Sequence, residues 1–379
     1  MADLLKGHKL TDSEAMTLAI AQSQKGLGWV SPNPAVGCVL LDNKNCLLST
    51  GYHEKFGGPH AEINALNKLS EKELTGARVF VTLEPCAHQG KTPSCALALS
   101  KLPIAEVIFG LYDPNPLVQG KGTEIIKNAG IKITQFDQDL VELEETCEHF
   151  LQNMREQVPF VTLKVATSLD GKLALKNGMS QWITGSESRQ ESHFLRAIND
   201  VILVGVNTFL IDNPSLNIRH NSFPDKKNKV AILDPNGRGF EKIKSSNLYA
   251  NHKPENIIWV SKNDIKTDDL NHLGIHIIKV PSIPESDDLN LKFLLSELWK
   301  INVKSILVEG GASTISSFLN QKICNRLSLF MAPIIIGEKS GIDWTSNLNS
   351  ITELQQSVPL NSFKVKPMGK DLLLTARFL

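Results

Sequence analysis

His60-Ala61-Glu62, then Pro85-Cys86, then Cys95 is the pattern from which the first half of this chain can be read. One imidazole and two thiolates supply three corners of a tetrahedral zinc shell and leave the fourth open, which is the arrangement of a catalytic metal. Glu62 lies two residues after His60, so at the start of a helix it cannot share the ligand direction, but it can reach a water held on the metal. It is the expected proton carrier. A purely structural zinc would need a fourth protein ligand, and His88 could be one.

H-x-E followed by P-C-x-x-C is the signature of zinc deaminases. Here the second cysteine is displaced by an insertion, giving Leu83-Glu84-Pro85-Cys86-Ala87-His88-Gln89-Gly90-Lys91-Thr92-Pro93-Ser94-Cys95. This longer form resembles the deaminase half of the bifunctional deaminase/reductase family of riboflavin biosynthesis. Ser94 departs from the second proline usual there.

A length of 379 residues suggests two domains, each with its own core. Forty basic residues balance forty acidic ones, and no Lys/Arg run of five occurs, so a nucleic-acid footprint is missing and small substrates are favoured. Six irregularly spaced cysteines do not form a disulfide framework; Cys38, Cys46, Cys147 and Cys324 are read as packing residues. The first ten residues lack the apolar core of a signal peptide, and no 18-residue apolar run is present, so a cytoplasmic location is expected.

Thr11-Asp12-Ser13-Glu14 is a capping box that opens a helix. Ser31-Pro32-Asn33-Pro34 then breaks the chain before a hairpin of Ala35–Leu41 and Leu47–Thr50. Asn33 offers a rigidly held amide to a heterocycle edge, or serves only the turn. His53 sits in the loop before the zinc helix, where it faces substrate or solvent, and Lys91 and Thr92 lie between the cysteines, where a cation and a hydroxyl suit a phosphate. Strands at 78–83, 106–111 and 131–134 alternate with helices at 93–99 and 123–128, the pattern of a layered α/β unit. A polar helix over about 137–155 ends at Gln157-Val158-Pro159, which places the domain boundary at 157/158.

The second half begins with a strand from Phe160, an Asp170-Gly171 turn and a second strand. Gln181-Trp182-Ile183-Thr184-Gly185, a helix carrying Arg196, the apolar strand Val201–Gly205 and Val206-Asn207-Thr208 follow, and then Asp212 to Arg219. Strands at 230–233, 257–260, 275–280 and 305–309 lead to Gly310-Gly311-Ala312-Ser313-Thr314, where a strand, paired glycines and a helix start expose N–H groups to a phosphate. Segments 328–331, 333–337 and 371–378 are expected to complete the sheet.

These stretches resemble the reductase half of the same family, in the same domain order, although Asn207 replaces a glycine common in its turn. The resemblance implies an α/β chain with a cytidine-deaminase-like three-layer domain over 1–157 and a dihydrofolate-reductase-like domain over 158–379. It implies zinc on His60, Cys86 and Cys95, with Glu62 catalytic and Asn33, His53, Lys91 and Thr92 on the deaminase substrate. NADPH would be held by Ala166, Trp182, Thr208, Asp212 and Gly311, Ala312, Ser313, Thr314, Ile315, Ser316 and Ser317. Lys164, Ser180, Arg196, Leu216, Arg219 and Glu309 would hold a ribosylamino substrate, with the two arginines on its phosphate. A homo-oligomer, dimer or tetramer, is also implied. Two rival readings are a nucleoside or tRNA-base deaminase with a non-catalytic second half, and a structural zinc domain joined to a nucleotide sensor.

Overall fold

The computed structural model describes residues 6–87, 94–115, 119–138, 141–180, 182–284 and 286–379. The chain divides into two compact units, Met1–Gln157 and Val158–Leu379. Among the described residues no helix is long and apolar enough to cross a membrane.

In the first unit, helix α1 (Asp12–Ser23) starts at the capping box, where the Glu14 N–H donates to Thr11 Oγ1 at 3.3 Å and the Thr11 N–H to Glu14 Oε2 at 2.8 Å. Strands β1 (Gly37–Leu41) and β2 (Leu47–Tyr52) form the hairpin, and α2 (Ala61–Leu66) follows. Then come β3 (Arg78–Leu83), α3 (Cys95–Leu99), β4 (Glu106–Leu111), α4 (Lys121–Asn128), β5 (Lys132–Gln135) and α5 (Val141–Glu156). The sheet order is β2-β1-β3-β4-β5, antiparallel through β3 and parallel after it.

Strand side chains alternate faces, and here the two faces feed separate cores. Cys38, Leu40, Val79 and Val81 meet Ala61 and Ala65 of α2 and Leu99 of α3. Val39, Leu41, Phe80 and Ile108 meet Met16 and Ile20 of α1 and Leu143 of α5. The unit is therefore three layers, as the resemblance implied. Its parallel strands turn over at one end, and the chain leaving β3 there carries Cys86.

In the second unit, β6 (Phe160–Ser168), β7 (Lys172–Leu175), α6 (Ser186–Ile198), β8 (Val201–Gly205), α7 (Val206–Asp212) and β9 (Lys229–Leu233) come first. They are followed by α8 (Asn247–Asn251), β10 (Ile257–Lys262), α9 (Asp268–Asn271), β11 (His276–Val280), α10 (Leu291–Lys300), β12 (Ser305–Val308) and α11 (Ala312–Asn320). Last are β13 (Arg326–Ala332), β14 (Gly341–Asp343), β15 (Leu360–Met368) and β16 (Asp371–Phe378). Nine strands order as β11-β10-β9-β8-β12-β6-β13-β16-β15, all in one direction except β16, which pairs antiparallel with β13 and β15. Val201, Leu203, Ala231 and Val260 pack on Leu294 and Leu298 of α10, and Ile202, Val204, Ile232 and Trp259 pack on Phe209 of α7.

Strand β7, after the Asp170-Gly171 turn, pairs with β14, because β12 and β13 occupy both edges of β6. One expectation fails here. Segment 333–337 is not a strand: the N–H groups of Ile336 and Gly337 donate to the Asp170 carboxylate at 3.1 and 2.7 Å.

Candidate active sites

His60 is the residue just before α2, with extended backbone at φ −73°, and Glu62 falls in the first helical turn, 3% exposed. The turn after β3 brings Cys86, and Cys95 opens α3. His60 Nδ1 lies 3.5 Å from Cys86 Sγ and 3.3 Å from Cys95 Sγ, and the three donor atoms fall within 4.8 Å of one another. Tetrahedral zinc with ordinary Zn–N and Zn–S bonds needs a ligand edge of about 3.6 Å, so the donor set fits the ion without rearrangement. The Cys95 N–H also donates to Cys86 Sγ at 3.4 Å.

The neighbouring Cys95 thiol pulls the Cys86 thiol down, with His60 assisting against burial, while Cys95 is pushed up by the same partnership. Both sulfurs ligate a metal as thiolates, so binding there releases protons. Burial pushes the Glu62 carboxyl up to about 7, and the Cys86 sulfur adds to this. Such a carboxyl can both take and return a proton near neutrality.

His60, Glu62 and Cys86 open on a cavity of about 210 Å³ lined also by Asn33, His53, Glu84, Asp113 and Phe150, while Cys95 is buried behind them. His53 Nδ1 lies 3.0 Å from the Pro59 carbonyl, which can only accept, so Nδ1 carries the hydrogen and Nε2 accepts from Asn33 Nδ2 at 3.3 Å. Burial holds His53 in its neutral form. The Asn33 amide is thereby oriented with its oxygen turned away from His53. Lys91 and Thr92 lie outside the described residues, as does His88. Ser94, in the usual proline's place, caps α3 by accepting the Leu97 N–H at 3.2 Å. Glu84 and Asp113 were given no role from the sequence; Glu84 accepts the N–H groups of Gly120 and Thr123 at 3.1 and 3.2 Å, tying α4 to the metal turn.

In the second unit a cleft of about 460 Å³ brings together Lys164, Ala166, Ser180, Trp182, Arg196, Thr208, Asp212, Leu216, Arg219, Glu309, Gly311 and Ile315. Arg196 Nε and Nη2 donate to the two oxygens of Glu309 at 2.7 and 2.8 Å, and Nη1 donates to the Asn217 carbonyl at 3.0 Å. Burial lowers Lys164, which Glu309 partly offsets. Trp182 is not core but 69% exposed, with the Arg189 guanidinium 4.7 Å over its ring. Leu216 packs into the core with a left-handed φ of +48°. His193, which the sequence did not single out, has Nδ1 3.2 Å from the Arg219 N–H and Nε2 3.4 Å from Arg219 Nε.

A second cavity of about 270 Å³ takes in Ala312, Ser313, Thr314 and Ser317 and meets the first at Thr208 and Gly311; Ser316 is buried and lines neither. No side chain caps α11, so its first N–H groups remain available to a phosphate. Gly205 lets this helix approach β8: a Cβ there would meet Thr314 Oγ1 at 2.2 Å. The elongated cleft and the uncapped helix start fit a dinucleotide.

Residues 9–111 match the cytidine and deoxycytidylate deaminase zinc-binding region, and residues 159–374 match the RibD C-terminal domain. The riboflavin biosynthesis protein RibD of Aquifex aeolicus is 37% identical over 366 residues, covering 96% of this chain and 97% of that protein. The chain belongs to the RibD family. It therefore joins a zinc-dependent deaminase to a reductase that uses NADPH, within riboflavin biosynthesis. The RibD of Escherichia coli is 31% identical over 382 residues, covering 96% of this chain and 99% of that one. The structure of Acinetobacter baumannii RibD superposes with a TM-score of 0.82 at 33% identity, covering 96% of this chain and 98% of that one. A deaminase/reductase structure from Thermotoga maritima superposes at 0.77 and 31%, with the same coverage. The match over 159–374 disfavours a non-catalytic second half.

Proposed function

We propose that residues 1–157 hydrolyse the amino group of a diaminopyrimidinone ribosylamino 5′-phosphate, and that residues 158–379 then reduce the ribosyl group of the resulting aminouracil to ribityl. The observation that carries this reading is the three-donor cluster with buried Glu62 beside it, in a cavity that also holds an oriented amide.

His60, Cys86 and Cys95 would hold Zn²⁺, which when bound supplies the Lewis acidity that brings water to ionise near neutrality. Glu62 takes the water proton on its carboxylate and delivers it to the ring nitrogen, then takes the proton of the added hydroxyl and passes it to the amino group, which leaves as ammonia. Asn33, fixed by His53, grips the heterocycle edge, and Lys91 and Thr92 serve the phosphate. In the second unit the start of α11 with Ala166, Trp182, Thr208 and Asp212 would hold NADPH, which when bound would supply the hydride for C1′. Lys164, Ser180, Arg196, Leu216, Arg219 and Glu309 receive the ribosylamino group. Arg219 is the arginine for its phosphate, since the Arg196 fork is already taken by Glu309. The chain acts on small molecules as a cytoplasmic homo-oligomer, without a nucleic-acid partner, in keeping with its balanced charge.

Zinc chelation tests the division of labour. Ammonia release should stop while NADPH oxidation continues on supplied aminouracil substrate; if neither activity responds to chelation, the assignment of the first unit is wrong.

A further inference from the structure

The cleft over the second unit has two lobes that meet at Thr208 and Gly311. The larger contains Lys164, Arg196, Arg219 and Glu309, so the reacting ring of the cofactor belongs there with the substrate. A dinucleotide whose pyrophosphate sits at the uncapped start of α11 then extends its adenosine end into the smaller lobe. Among the described residues lining that lobe, Arg238 is the one cation. Asp288 is the one acid, and its carboxylate accepts the Ser286 hydroxyl at 2.9 Å.

Arg238 stands on a fixed loop. Its own N–H and that of Gly239 donate to the fully buried carboxylate of Asp234 at 3.0 and 2.8 Å, which pins the turn after β9. Its Nη2 donates to Asn207 Oδ1 at 2.7 Å. An amide is neutral, so this contact aims the guanidinium without cancelling its charge. Asn207 is also the residue that departs from the family's glycine, and the departure places an acceptor at the rim of this lobe. The substrate-side cations lie in the other lobe, so Arg238 has an anion of its own to meet. The adenosine half of NADPH carries one that NADH lacks, and a planar guanidinium suits it.

We propose that Arg238, aimed by Asn207, binds the 2′-phosphate of NADPH and sets the preference of this reductase for NADPH over NADH. The proposal rests on the reading of the second unit as an NADPH reductase.

The test is equilibrium binding to the whole zinc-loaded chain, by isothermal titration, of NADPH, NADH, adenosine 2′,5′-bisphosphate and AMP. Wild type should prefer NADPH to NADH and the bisphosphate to AMP. Both Arg238 and Asn207 are exposed, so substitution leaves the core untouched. Loss of a hydrogen-bonded charge contact corresponds to roughly ten- to hundredfold in affinity. Arg238→Ala should lose that much for NADPH and the bisphosphate, with NADH and AMP within about twofold; Arg238→Lys should recover part of it, and Asn207→Gly should show a smaller loss confined to the 2′-phosphorylated ligands. Equal weakening of NADPH and NADH, or an unchanged ratio between them in Arg238→Ala, overturns the proposal alone. Failure of the wild type to bind either dinucleotide overturns the reductase reading along with it.

Discussion

Glu309 holds Arg196 by both carboxylate oxygens, with Nε to Oε1 at 2.7 Å and Nη2 to Oε2 at 2.8 Å. The pair joins the end of β12 to α6 in the lining of the cleft of about 460 Å³, so it serves both stability and the shape of the cleft. Burial works against ionisation of Glu309, but the Arg196 guanidinium and the Lys164 ammonium outweigh it and bring its carboxyl down to about 2, from an ordinary 4.5.

Removing one partner strands buried charge, at a cost of about 3 kcal/mol or more. Glu309→Gln should lower the stability of the second unit by that amount in denaturant titrations followed by tryptophan fluorescence. Because the folded carboxyl is depressed, the stabilisation is fully present above pH 4.5 and lost as pH falls toward 2. The variant should therefore show a flatter pH dependence in that window, and an unchanged slope would exclude this role.

His193 positions Arg219. Burial, reinforced by Arg196 and Arg219, brings its imidazole down to about 4, so it is neutral at working pH and can accept from Arg219. His193→Phe should raise the reductase KM several-fold with little change in kcat, and His193→Gln should restore much of it; a loss in kcat alone would place His193 elsewhere in the reaction. The depressed value also means that His193 favours folding above pH 6.5 and costs stability as pH falls from 6.5 toward 4.

Glu62→Gln should leave one zinc per chain by elemental analysis and lower the rate of ammonia release by about a hundredfold or more, in line with the loss of a general acid–base group. Reduction of supplied aminouracil substrate should be unaffected. Full deaminase turnover with zinc retained would rule out Glu62 as the proton carrier.

Gly122 touches the metal turn without being a ligand. A Cβ there would meet the Pro85 carbonyl oxygen at 1.8 Å, so Gly122→Ala must push Pro85-Cys86 away from α4. Zinc affinity measured by competition with a chelator should fall at least several-fold, and unchanged affinity would show that the turn moves independently of Cys86.

The zinc cluster was legible because its chemistry lies in residue types at short range: His60, Glu62, Pro85, Cys86 and Cys95 need only one helix start and one strand end to converge. The capping box at Thr11 and the apolar strand Val201–Gly205 were legible for the same reason, each being a local signal. His193 and Arg238 were not, since their partners Arg219 and Asn207 lie 26 and 31 residues away and become neighbours only through the sheet. The partner of β7 was not legible, because turn chemistry announces a reversal and says nothing of whether the preceding strand has a free edge; β6 has none. The setting of Trp182, 69% exposed with Arg189 over its ring, is likewise a product of the fold and not of its local sequence.

The most direct test follows ammonia release and NADPH absorbance together in one reaction of the zinc-loaded chain with the diaminopyrimidinone ribosylamino phosphate. Ammonia should appear first, and NADPH loss should follow it and depend on it, vanishing in Glu62→Gln and returning when aminouracil substrate is added. Ammonia release without any loss of NADPH, with either substrate, would contradict the claim that both halves of this chain are enzymes acting in sequence.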